Sequence, residues 1–401
     1  MVIVGAGKAG ARAVVGLREF GWQGPITLIG EEALPPYDRP PLSKAAITET
    51  DEPAPVLLLD EETIKSLGAE WIGGAHAKLI DRAARQVVLA DGRKVPYLKL
   101  LIATGAKPRK LSLPGAERAL LLRDFADAQM LRKNFLPGVT VAVIGGGFIG
   151  LELASSATKR GCTVTVIEAL PRILLRAVPE QIASVVADRH RQAGVTILTN
   201  ASIERIESDA VVLKDGTRVA ADLVIAGIGA APAVALAEAS GLAVDNGIVC
   251  NGHMLTSDPN IYAVGDCASF PHAVFGDRRM RLEAWRAAQD QAAVAAENMA
   301  GGGKLFEAEP WFWSDQYDLS LQIAGVPADG SRIVTRPLKD GAFILCHLKD
   351  DGTIVGASGV GRGNTIARDI RLAEMLIAKR ATPDPAALAD PDTQLKSLLR
   401  A

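Results

Sequence analysis

The sequence has 401 residues, of which 48% are hydrophobic and 22% are charged, and its formal net charge is −2. Chains longer than roughly 250–300 residues usually divide into domains, so we expect two or three. The near-neutral charge gives no general attraction to nucleic acid or to anionic membranes, and we expect neither as a partner. No apolar run reaches the ~18 residues needed to cross a bilayer. No signal peptide precedes Gly5, so we expect a cytoplasmic protein.

The cysteines lie far apart in the sequence, at Cys162, Cys250, Cys267 and Cys346. No C-x-x-C or C-x-x-x-x-C pair occurs, which argues against a zinc site, an iron–sulfur cluster or a dithiol redox motif. We therefore expect no bound metal. The cysteine pattern suits a reducing compartment.

The chain begins with the pattern of a parallel α/β domain. Met1–Val4 predicts a short strand, a glycine-rich turn follows, and the next segment predicts a helix to about Phe20. Ile26–Ile29 then predicts a second strand, which completes a unit of strand, turn, helix and strand.

The turn has the spacing Gly5-x-Gly7-x-x-Gly10, which is typical of loops that bind dinucleotides. The first glycine permits the tight turn, the second lets the backbone approach a pyrophosphate, and the third lets helix and strand pack closely. The N-terminus of the helix would then face the phosphates. Glu31 follows the second strand, where it is placed to accept hydrogen bonds from an adenosine ribose.

The same arrangement recurs further along the chain. Val139–Ile144 predicts a strand, Leu151–Lys159 a helix and Thr163–Ile167 another strand, with a second G-x-G-x-x-G turn after the first of them. One such turn is a weak signal, because an ordinary packing turn has the same spacing. Two turns, each between a strand and a helix and each followed by a carboxylate, favour two dinucleotide sites.

The second turn consists of Gly145, Gly147 and Gly150, and Glu168 follows the next strand. A carboxylate at this position favours the free 2′-hydroxyl of NAD and repels the 2′-phosphate of NADP. Arg172 and Arg176 follow soon afterwards and could weaken this preference. We expect NADH to be preferred to NADPH.

Two further stretches are expected to close the predicted sheets. Leu98–Ala103 predicts a buried strand that ends near Gly105, and Asp81–Leu89 predicts one strand before it. Leu223–Ala226 predicts the corresponding strand of the second unit, which ends near Gly229. The chain is expected to leave each sheet at these two glycines.

The last part of the chain has a different character, with a dense aromatic cluster just after residue 309. Ile333–Thr335, Phe343–Leu348 and Ile354–Ser358 predict short strands separated by glycine turns. Ile366–Lys379 predicts an amphipathic helix, so a third domain of the α+β type is expected.

Two shorter motifs are ambiguous when judged by their chemistry. Gly265-Asp266 follows a short strand, Ile261–Val264, and an aspartate there could accept hydrogen bonds from a polyol, although Gly-Asp is also a common turn. Lys44 follows two prolines that fix where the next helix starts. It could point at a flavin ring, although most lysines are solvated on the surface.

Taken together, the motifs resemble those of the FAD-dependent ferredoxin reductases of bacterial oxygenase systems, the group that includes putidaredoxin reductase and the reductases of Rieske-type dioxygenases. This group has the glutathione-reductase-like fold of the pyridine-nucleotide disulfide oxidoreductases. The shared stretches run through the whole chain in the expected order: GAGKAG, YDRPPLSK, LLIATGAKP, VIGGGFIGLELA, VIEALPR, AGIGA, IYAVGDCA, LEAW and PWFWSDQ.

The resemblance implies two cofactors, FAD and NADH, and a catalytic pair near flavin N5 formed by Lys44 and Glu152. The residues that it implies for FAD are Gly5, Gly7, Gly10, Glu31, Arg39, Lys44, Ala77, Thr104, Gly105, Arg123, Gly265, Asp266, Trp285 and Trp313. The residues that it implies for NADH are Gly145, Gly147, Ile149, Gly150, Glu152, Glu168, Arg176, Gly229 and Glu283.

The implied fold class is α/β, with two Rossmann-like dinucleotide-binding domains, for FAD and for NADH, and a C-terminal α+β domain. The FAD-binding domain is expected at 1–105 and 230–308, the NADH-binding domain at 106–229 and the C-terminal domain at 309–401.

The chain departs from part of the wider fold family in one region. Relatives that reduce disulfides carry a C-x-x-x-x-C pair after the first strand–helix–strand unit, and NADH peroxidases and oxidases carry one cysteine there. Here the region reads RPPLSK, with Ser43 and no cysteine, which argues strongly against disulfide reduction. The resemblance implies instead that hydride passes from NADH to FAD. Single electrons then pass to a small [2Fe–2S] ferredoxin of a multicomponent, aromatic-ring-hydroxylating oxygenase.

Alternative functions remain open at this point. One is a rubredoxin reductase or an NADH oxidase of the same fold, which the electron acceptor would distinguish. Another is a redox sensor resembling apoptosis-inducing factor, with slow turnover. The cluster of Arg278, Arg279 and Arg281 is either a docking surface for an acidic ferredoxin or part of a solvated loop.

Overall fold

The computed structural model describes residues 1–400, which form two compact units. The first unit consists of Met1–Arg39, Pro55–Lys107 and Ala231–Pro310. The second consists of Pro40–Ala54, Pro108–Ala230 and the residues from 311 onward. Both units are therefore assembled from separate stretches of the chain.

The α-helices are, in chain order, α1 Lys8–Glu19, α2 Ala45–Thr48, α3 Glu61–Ser66, α4 Phe125–Asn134, α5 Phe148–Lys159, α6 Glu180–Gln192, α7 Ala235–Ala239, α8 Trp285–Met299, α9 Ala367–Ala378 and α10 Pro385–Ala389. The strands of the first half are β1 Val2–Val4, β2 Ile26–Ile29, β3 Ala69–Ile72, β4 Ala77–Asp81, β5 Gln86–Leu89, β6 Lys94–Pro96, β7 Leu100–Ile102, β8 Ala106–Pro108, β9 Ala119–Leu120, β10 Thr140–Ile144, β11 Thr163–Ile167, β12 Thr196–Leu198 and β13 Ile203–Ile206. The remaining strands are β14 Ala210–Leu213, β15 Arg218–Ala220, β16 Leu223–Ala226, β17 Ala230–Pro232, β18 Ile248–Val249, β19 Ile261–Ala263, β20 Ala268–His272, β21 Arg278–Met280, β22 Trp311–Gln316, β23 Leu319–Gly325, β24 Arg332–Pro337, β25 Phe343–Leu348 and β26 Ile354–Arg362.

The first unit is built on a parallel sheet with the strand order β19-β7-β1-β2-β3. Its strands are short runs of buried apolar residues, as expected for a sheet that is covered on both faces. The chain adds β2 and β3 on one side of β1, and then β7 and β19 on the other side. Ligands of such sheets bind at the carboxyl ends of the strands, at the point where the strand order reverses. Here that point lies at β1.

The second unit repeats this plan and adds an antiparallel domain. Its parallel sheet has the order β12-β11-β10-β16-β9. The C-terminal part forms an antiparallel sheet with the order β22-β23-β26-β25-β24, and helix α9 packs on it. The architecture therefore has the two Rossmann-like sheets and the α+β portion that the sequence predicts.

The single strand predicted at Asp81–Leu89 is wrong, because these residues form parts of two strands. Strand β4 ends at Asp81, and β5 begins at Gln86 and pairs antiparallel with it. The carboxylate of Asp81 accepts a hydrogen bond from the backbone N–H of Ala84 at 2.9 Å, and Arg85 has a positive φ of 51°. This side-chain cap stabilises a turn inside a stretch that has no glycine or proline.

The segment 40–54 belongs to the second unit, although it follows the first strand–helix–strand pair in sequence. The guanidinium of Arg132, on helix α4, donates hydrogen bonds to four backbone carbonyls of this segment, those of residues 47, 49, 50 and 51, at 2.5–3.2 Å. Ile47 is buried in the same hydrophobic core as Leu131 of that helix and Phe135 just after it. One arginine and one apolar side chain thus fix the segment that carries Lys44.

We predict that Arg132→Met loosens this segment, because four carbonyls lose a charged donor. Hydrogen bonds to charged groups contribute about 1.5–3 kcal/mol each in favourable cases. We therefore expect the amides of α2 to exchange with solvent at least about tenfold faster, as measured by hydrogen exchange. Arg191→Met is the control, since Arg191 is exposed and its one ion pair within the described part of the chain is with Asp188 of its own helix. Unchanged exchange in α2 would contradict the role given to Arg132.

Candidate active site

Predicted FAD-binding residues from four distant parts of the sequence meet at one edge of the first parallel sheet. Gly5 follows β1, Glu31 lies just after β2, Thr104 lies just after β7, and Gly265 and Asp266 lie just after β19. The parallel registers bring the ends of neighbouring strands level along this edge. This edge is where the strand order of the sheet reverses, which is the position expected for a dinucleotide site.

The first glycine turn has the geometry that a dinucleotide needs. Gly5 has a φ of +113°, and a Cβ there would lie 2.1 Å from the carbonyl oxygen of Ala103. A Cβ on Gly10 would lie 2.0 Å from the carbonyl oxygen of Gly5, so only glycine lets the helix start this close to the strand. A Cβ on Gly7 would meet no atom within 4 Å, so the backbone there faces open space. This open cradle at the N-terminus of α1 fits the pyrophosphate of FAD.

The second glycine turn repeats these contacts in the other parallel sheet. Gly145 has a φ of +103°, and its Cβ would lie 2.5 Å from the carbonyl oxygen of Gly227. A Cβ on Gly150 would lie 2.1 Å from the carbonyl oxygen of Gly145, whereas a Cβ on Gly147 would face open space. The turn fits NADH for the same physical reasons. The carbonyl oxygen of Gly227 thus takes the place that the carbonyl oxygen of Ala103 has at the first turn, a contact that the sequence analysis did not single out.

The two carboxylates that follow the second strands differ in their surroundings. Glu31 is exposed and lies 3.0 Å from the ring nitrogen Nδ1 of His76. Glu168 is partly buried, and its two oxygens accept hydrogen bonds from the backbone N–H groups of Gly146 and Leu170, at 2.7 and 2.8 Å. An ionised carboxylate can accept about four hydrogen bonds, so Glu168 retains capacity for two ribose hydroxyls.

The arginines after Glu168 are not equally available to a nucleotide. The guanidinium of Arg172 donates to three backbone carbonyls of its own loop, those of residues 173, 175 and 178, at 3.0–3.4 Å. Arg176 is exposed, and none of the residues 1–400 forms a hydrogen bond or ion pair with its side chain. Ile149, at the start of helix α5, is exposed as well, which suits a side chain that packs against a ligand.

Other predicted site residues already have partners within their own unit. The side chain of Arg39 forms an ion pair with Glu32 at 2.6 Å, and the hydroxyl of Tyr37 donates to Glu32 at 2.5 Å. Arg281 pairs with Glu283 at 2.5 Å. The sequence pattern alone assigned no partners to these charged side chains, and the structure gives each of them one.

Three further predicted site residues are positioned by hydrogen bonds that involve the backbone. Thr104 donates its hydroxyl proton to the carbonyl oxygen of Ala233 at 2.7 Å. Gly229 has a φ of +96°, and its carbonyl oxygen accepts from the backbone N–H of Arg109 at 2.9 Å. The backbone N–H of Arg123 donates to the carboxylate of Asp127, just before helix α4 begins.

Trp285 and Trp313 contact other side chains that the sequence analysis did not assign to the site. The indole N–H of Trp285 donates to the carboxylate of Asp38 at 2.6 Å, and the ammonium of Lys8 lies 3.7 Å from the centroid of the indole ring. Trp313, on β22, stacks on Trp311 with ring centroids 5.3 Å apart and an interplanar angle of 22°.

A buried carboxylate forms the most connected polar site of the second unit. Glu152, on α5, is only 4% exposed, and its Oε2 accepts from Lys44 Nζ at 2.8 Å and from the hydroxyl of Ser43 at 2.5 Å. Its Oε1 accepts from the hydroxyl of Ser314 at 2.6 Å. Burying an ionised carboxylate is costly unless donors surround it, and three donors do so here. The predicted pair of Lys44 and Glu152 is therefore present, with two serines that the sequence reasoning did not assign.

The hydrogen bonds continue from this carboxylate into the interior. The amide of Gln316 donates to the hydroxyl of Ser314 at 3.2 Å, and its oxygen lies 2.9 Å from Nε2 of His190. Burial lowers the pKa of His190 to about 4, so the ring is neutral near pH 7. With a carbonyl-type oxygen beside it, Nε2 carries the proton in this arrangement.

Comparison with known proteins agrees with this geometry. Residues 1–292 match the family described as pyridine nucleotide-disulphide oxidoreductase, and residues 311–399 match the one described as reductase C-terminal. The chain belongs to the pyridine nucleotide-disulphide oxidoreductase family.

Relatives within the family match over their full length. The chain is 37% identical to putidaredoxin reductase of Pseudomonas putida, with 100% of the chain and 97% of the relative covered. It is 40% identical to the ferredoxin–NAD(+) reductase component of the anthranilate 1,2-dioxygenase system of Burkholderia cepacia, with 99% and 98% covered.

Among solved structures, a ferredoxin reductase of Rhodopseudomonas palustris has a TM-score of 0.94 at 36% identity, with 99% of this chain and 98% of that chain covered. The reductase in a covalent putidaredoxin reductase–putidaredoxin complex has a TM-score of 0.93 at 36% identity, with 100% and 97% covered. The predicted family, the fold class, the two cofactors FAD and NADH and the oxidoreductase activity are confirmed.

The family includes disulfide reductases, but the cysteines of this member suit no such chemistry. All of them are buried and unpaired. Burial raises the pKa of the thiol of Cys346 to about 12 and also raises the pKa values of Cys162, Cys250 and Cys267. Because the thiolate is the reactive form, these side chains are poor nucleophiles.

The three clustered arginines are not a loop of free charges. Arg278–Met280 is a strand that pairs antiparallel with β20. The guanidinium of Arg279 donates to the carbonyl oxygens of Ser269 and Cys250, at 2.7 and 3.3 Å. Since Arg281 pairs with Glu283, the positive charge that this segment offers to a partner is smaller than the sequence suggests.

Two features are absent from the described residues, 1–400. No group of three or more His, Cys, Asp and Glu side chains there is arranged to hold a metal ion. No helix in this range is both long enough and apolar enough to cross a membrane.

We predict opposite behaviour for alanine at the second and third glycines of the first turn. Gly7→Ala should fold but lose FAD, because its Cβ would occupy the space of the pyrophosphate. Gly10→Ala should lower the yield of folded protein, because its Cβ would lie 2.0 Å from a backbone oxygen. The measurement is the ratio of flavin to protein absorbance in the purified variants.

Gly147→Ala is the matched control in the second turn, where the Cβ also faces open space. It should keep its flavin and bind NADH at least about tenfold more weakly, a loss of about 1.4 kcal/mol. Equal flavin content in Gly7→Ala and Gly147→Ala would contradict the assignment of the first turn to FAD.

Proposed function

We propose that this protein is an NADH-dependent ferredoxin reductase, which passes electrons from NADH through FAD, one at a time, to a small [2Fe–2S] ferredoxin of a multicomponent, aromatic-ring-hydroxylating oxygenase. When bound, FAD supplies the ability to take two electrons as a hydride and to give them up singly. The observation that carries the proposal is the pair of glycine turns, each with an open cradle at the carboxyl edge of a parallel sheet. A chain with two dinucleotide sites can pass a hydride from one cofactor to the other.

The choice of acceptor is supported by the relatives. Three relatives that match over almost all of the chain are named as putidaredoxin reductase and as ferredoxin–NAD(+) reductase components of two dioxygenase systems. A rubredoxin–NAD(+) reductase of Pseudomonas putida is also similar, at 38% identity, but only 83% of this chain is covered. Rubredoxin is therefore the second candidate acceptor.

The assignment of each cofactor to a part of the chain follows from the two glycine turns. In this proposal 1–105 and 230–308 form the FAD-binding domain, 106–229 the NADH-binding domain and 309–401 the C-terminal domain. The compact units change at residues 107/108, 230/231 and 310/311, which supports these boundaries, while 40–54 packs with the second unit. We place the enzyme in the cytoplasm, in accord with four cysteines that form no disulfide.

Cofactor preference rests on Glu168. Its carboxylate is fixed by two backbone N–H groups at 2.7 and 2.8 Å, so it cannot easily turn away from a 2′-phosphate. Arg172 is occupied by backbone carbonyls and gives a phosphate little compensation. Of the two arginines, Arg176 is the one that remains available to a phosphate. Because Glu168 is fixed and Arg172 is occupied, we assign NADH as the preferred reductant.

In this proposal Lys44 and Glu152 are the catalytic pair. The overall reaction of one NADH with two oxidised ferredoxins yields NAD⁺, two reduced ferredoxins and one proton, so a proton must leave the site. The resemblance implies that Lys44 lies near flavin N5, and its Nζ, held at 2.8 Å by a buried carboxylate, would tune the charge there as this proton is lost. Ser43 and Ser314 keep that carboxylate in place.

The test of the proposed function is the reduction of cytochrome c by the purified holoenzyme with NADH, with and without a small [2Fe–2S] ferredoxin. We expect the rate to depend strongly on added ferredoxin, and to be at least about tenfold lower with NADPH than with NADH. Rubredoxin is assayed in parallel. A rate indifferent to ferredoxin but dependent on rubredoxin would favour the second candidate, and slow turnover with every acceptor would favour a redox sensor.

We predict that Lys44→Met slows anaerobic flavin reduction by NADH about tenfold or more, because in this proposal the positive charge of Lys44 stabilises the negative charge that the flavin gains with the hydride. We also expect the midpoint potential of the flavin to shift, because the resemblance implies that the positive charge of Lys44 lies near flavin N5. Stopped-flow absorbance and a redox titration measure the two effects. Lys65→Met, at an exposed lysine of helix α3, is the control and should change neither. If both quantities were unchanged in Lys44→Met, Lys44 would have no catalytic role.

A further inference from the structure

The first glycine turn contains a lysine that the motif itself does not require. Lys8 is the first residue of α1 and lies between Gly7 and Gly10. The corresponding residue of the second turn is Phe148, the first residue of α5. The two turns share their glycine contacts, so the charge at Lys8 is a feature of the first turn alone.

The surroundings of Lys8 hold its ammonium in place without an ion pair. Nζ lies 3.7 Å from the centroid of the Trp285 ring, within the range of a cation–π contact. The ring is itself fixed by the hydrogen bond from its N–H to Asp38 at 2.6 Å. Among residues 1–400, no carboxylate forms an ion pair with Lys8 and no oxygen accepts a hydrogen bond from its ammonium. Its three N–H donors are therefore available to a ligand.

This position is unfavourable for a cation in the protein alone. Burial lowers the pKa of Lys8, the charge of Asp38 raises it in part, and the charge of Arg12 lowers it again. The N-terminus of a helix also carries a partial positive charge, which disfavours a lysine in the first turn. A group of negative charge bound at this point would offset both effects.

Two helices, moreover, begin here. Trp285 is the first residue of α8, and its ring lies against the first residue of α1. The two helices pack so closely along their length that a Cβ on Gly16 would lie 2.9 Å from the Cβ of Ala296. Two helix N-termini and one ammonium thus create positive potential beside the open cradle at Gly7, where a dinucleotide places its pyrophosphate.

We propose that Lys8 is an additional FAD-binding residue, held over the Trp285 ring beside the place of the FAD diphosphate, and that its charge strengthens the retention of FAD. The inference rests on the proposed function only in that FAD occupies the first glycine turn. It requires nothing of the electron acceptor. In the protein with FAD bound, the ammonium donates to diphosphate oxygens and Trp285 and Asp38 orient it.

The test compares variants of the holoenzyme by the flavin fluorescence released on dilution, from which the dissociation constant of FAD is obtained at low and high ionic strength. Lys8→Met should raise this constant at least about tenfold at low ionic strength. The difference from the natural protein should shrink at high ionic strength, because salt screens a charge contact. Lys8→Arg, which keeps the charge, should stay within about twofold of the natural protein.

Lys99→Met is the matched control. Lys99 is another partly buried lysine of the first unit, beside the Tyr262 ring, but it precedes β7 and so lies at the opposite, amino edge of the same sheet. Burial also lowers its pKa. Removing its charge should leave FAD binding unchanged. Equal weakening by Lys99→Met and Lys8→Met would show a general effect of lysine removal and would overturn the proposal.

Two further results would overturn it: FAD binding in Lys8→Met within twofold of the natural protein, or a loss that is equal at all ionic strengths. If Lys8→Met does not fold, Lys8→Gln, of similar length and without charge, replaces it and is judged by the same criteria. The readout is the binding of FAD and involves no ferredoxin. Failure of this inference is therefore distinct from failure of the proposed acceptor, which the cytochrome c assay tests.

Discussion

The close approach of a helix to a strand, with a glycine on each side, is the constraint on which the rest of this structure depends. In both parallel sheets the carbonyl oxygen of the first glycine lies where a Cβ of the third would be, at 2.0 Å for Gly10 and 2.1 Å for Gly150. Any side chain would push the helix away from the strand. Because none is present, the N-terminus of each helix lies at the carboxyl edge of its sheet, and the middle glycine opens toward a ligand.

A second constraint, the buried charge of Glu152, lies on the helix that the second glycine turn creates. An unpaired carboxylate at this depth would destabilise the fold by several kcal/mol. It is retained because Ser43, Lys44 and Ser314 all donate to it. The same helix therefore presents its N-terminus to one ligand and fixes, through one carboxylate, the segment 40–54 and strand β22. Within the second unit, the cradle that we propose for NADH and the position of Lys44 depend on a single element.

The parts of this site that the sequence predicts are the local ones. The glycine spacings, the strand-end carboxylates and the chain exits at Gly105 and Gly229 lie within short, regular patterns. The pair of Lys44 and Glu152 follows only from the family resemblance. Ser43 and Ser314 could not be found in this way, because they are 109 and 162 residues from Glu152 in sequence and serine has no preference for such a role.

Other features depend on turns and contacts with no local signal. The hairpin between β4 and β5 is formed by an aspartate cap in a stretch without glycine or proline, so its apolar residues suggest one strand. The ion pairs of Arg39 and Arg281 likewise use charges that composition alone would count as exposed.

The two glycine turns differ in the residue that follows the second glycine. At the residue after the second glycine, each turn contacts an aromatic side chain from outside its own strand–helix–strand unit. In the first turn Lys8 lies 3.7 Å from the Trp285 ring, and in the second Phe148 lies 4.5 Å from the Phe312 ring, measured between centroids. Both contacts anchor the start of a helix, but only the first keeps a charge at the ligand edge. A tightly held prosthetic group benefits from such a fixed charge, whereas a substrate that must leave after each turnover does not. With FAD at the first turn and NADH at the second, as we propose, the difference between Lys8 and Phe148 matches the different residence times that the two cofactors need.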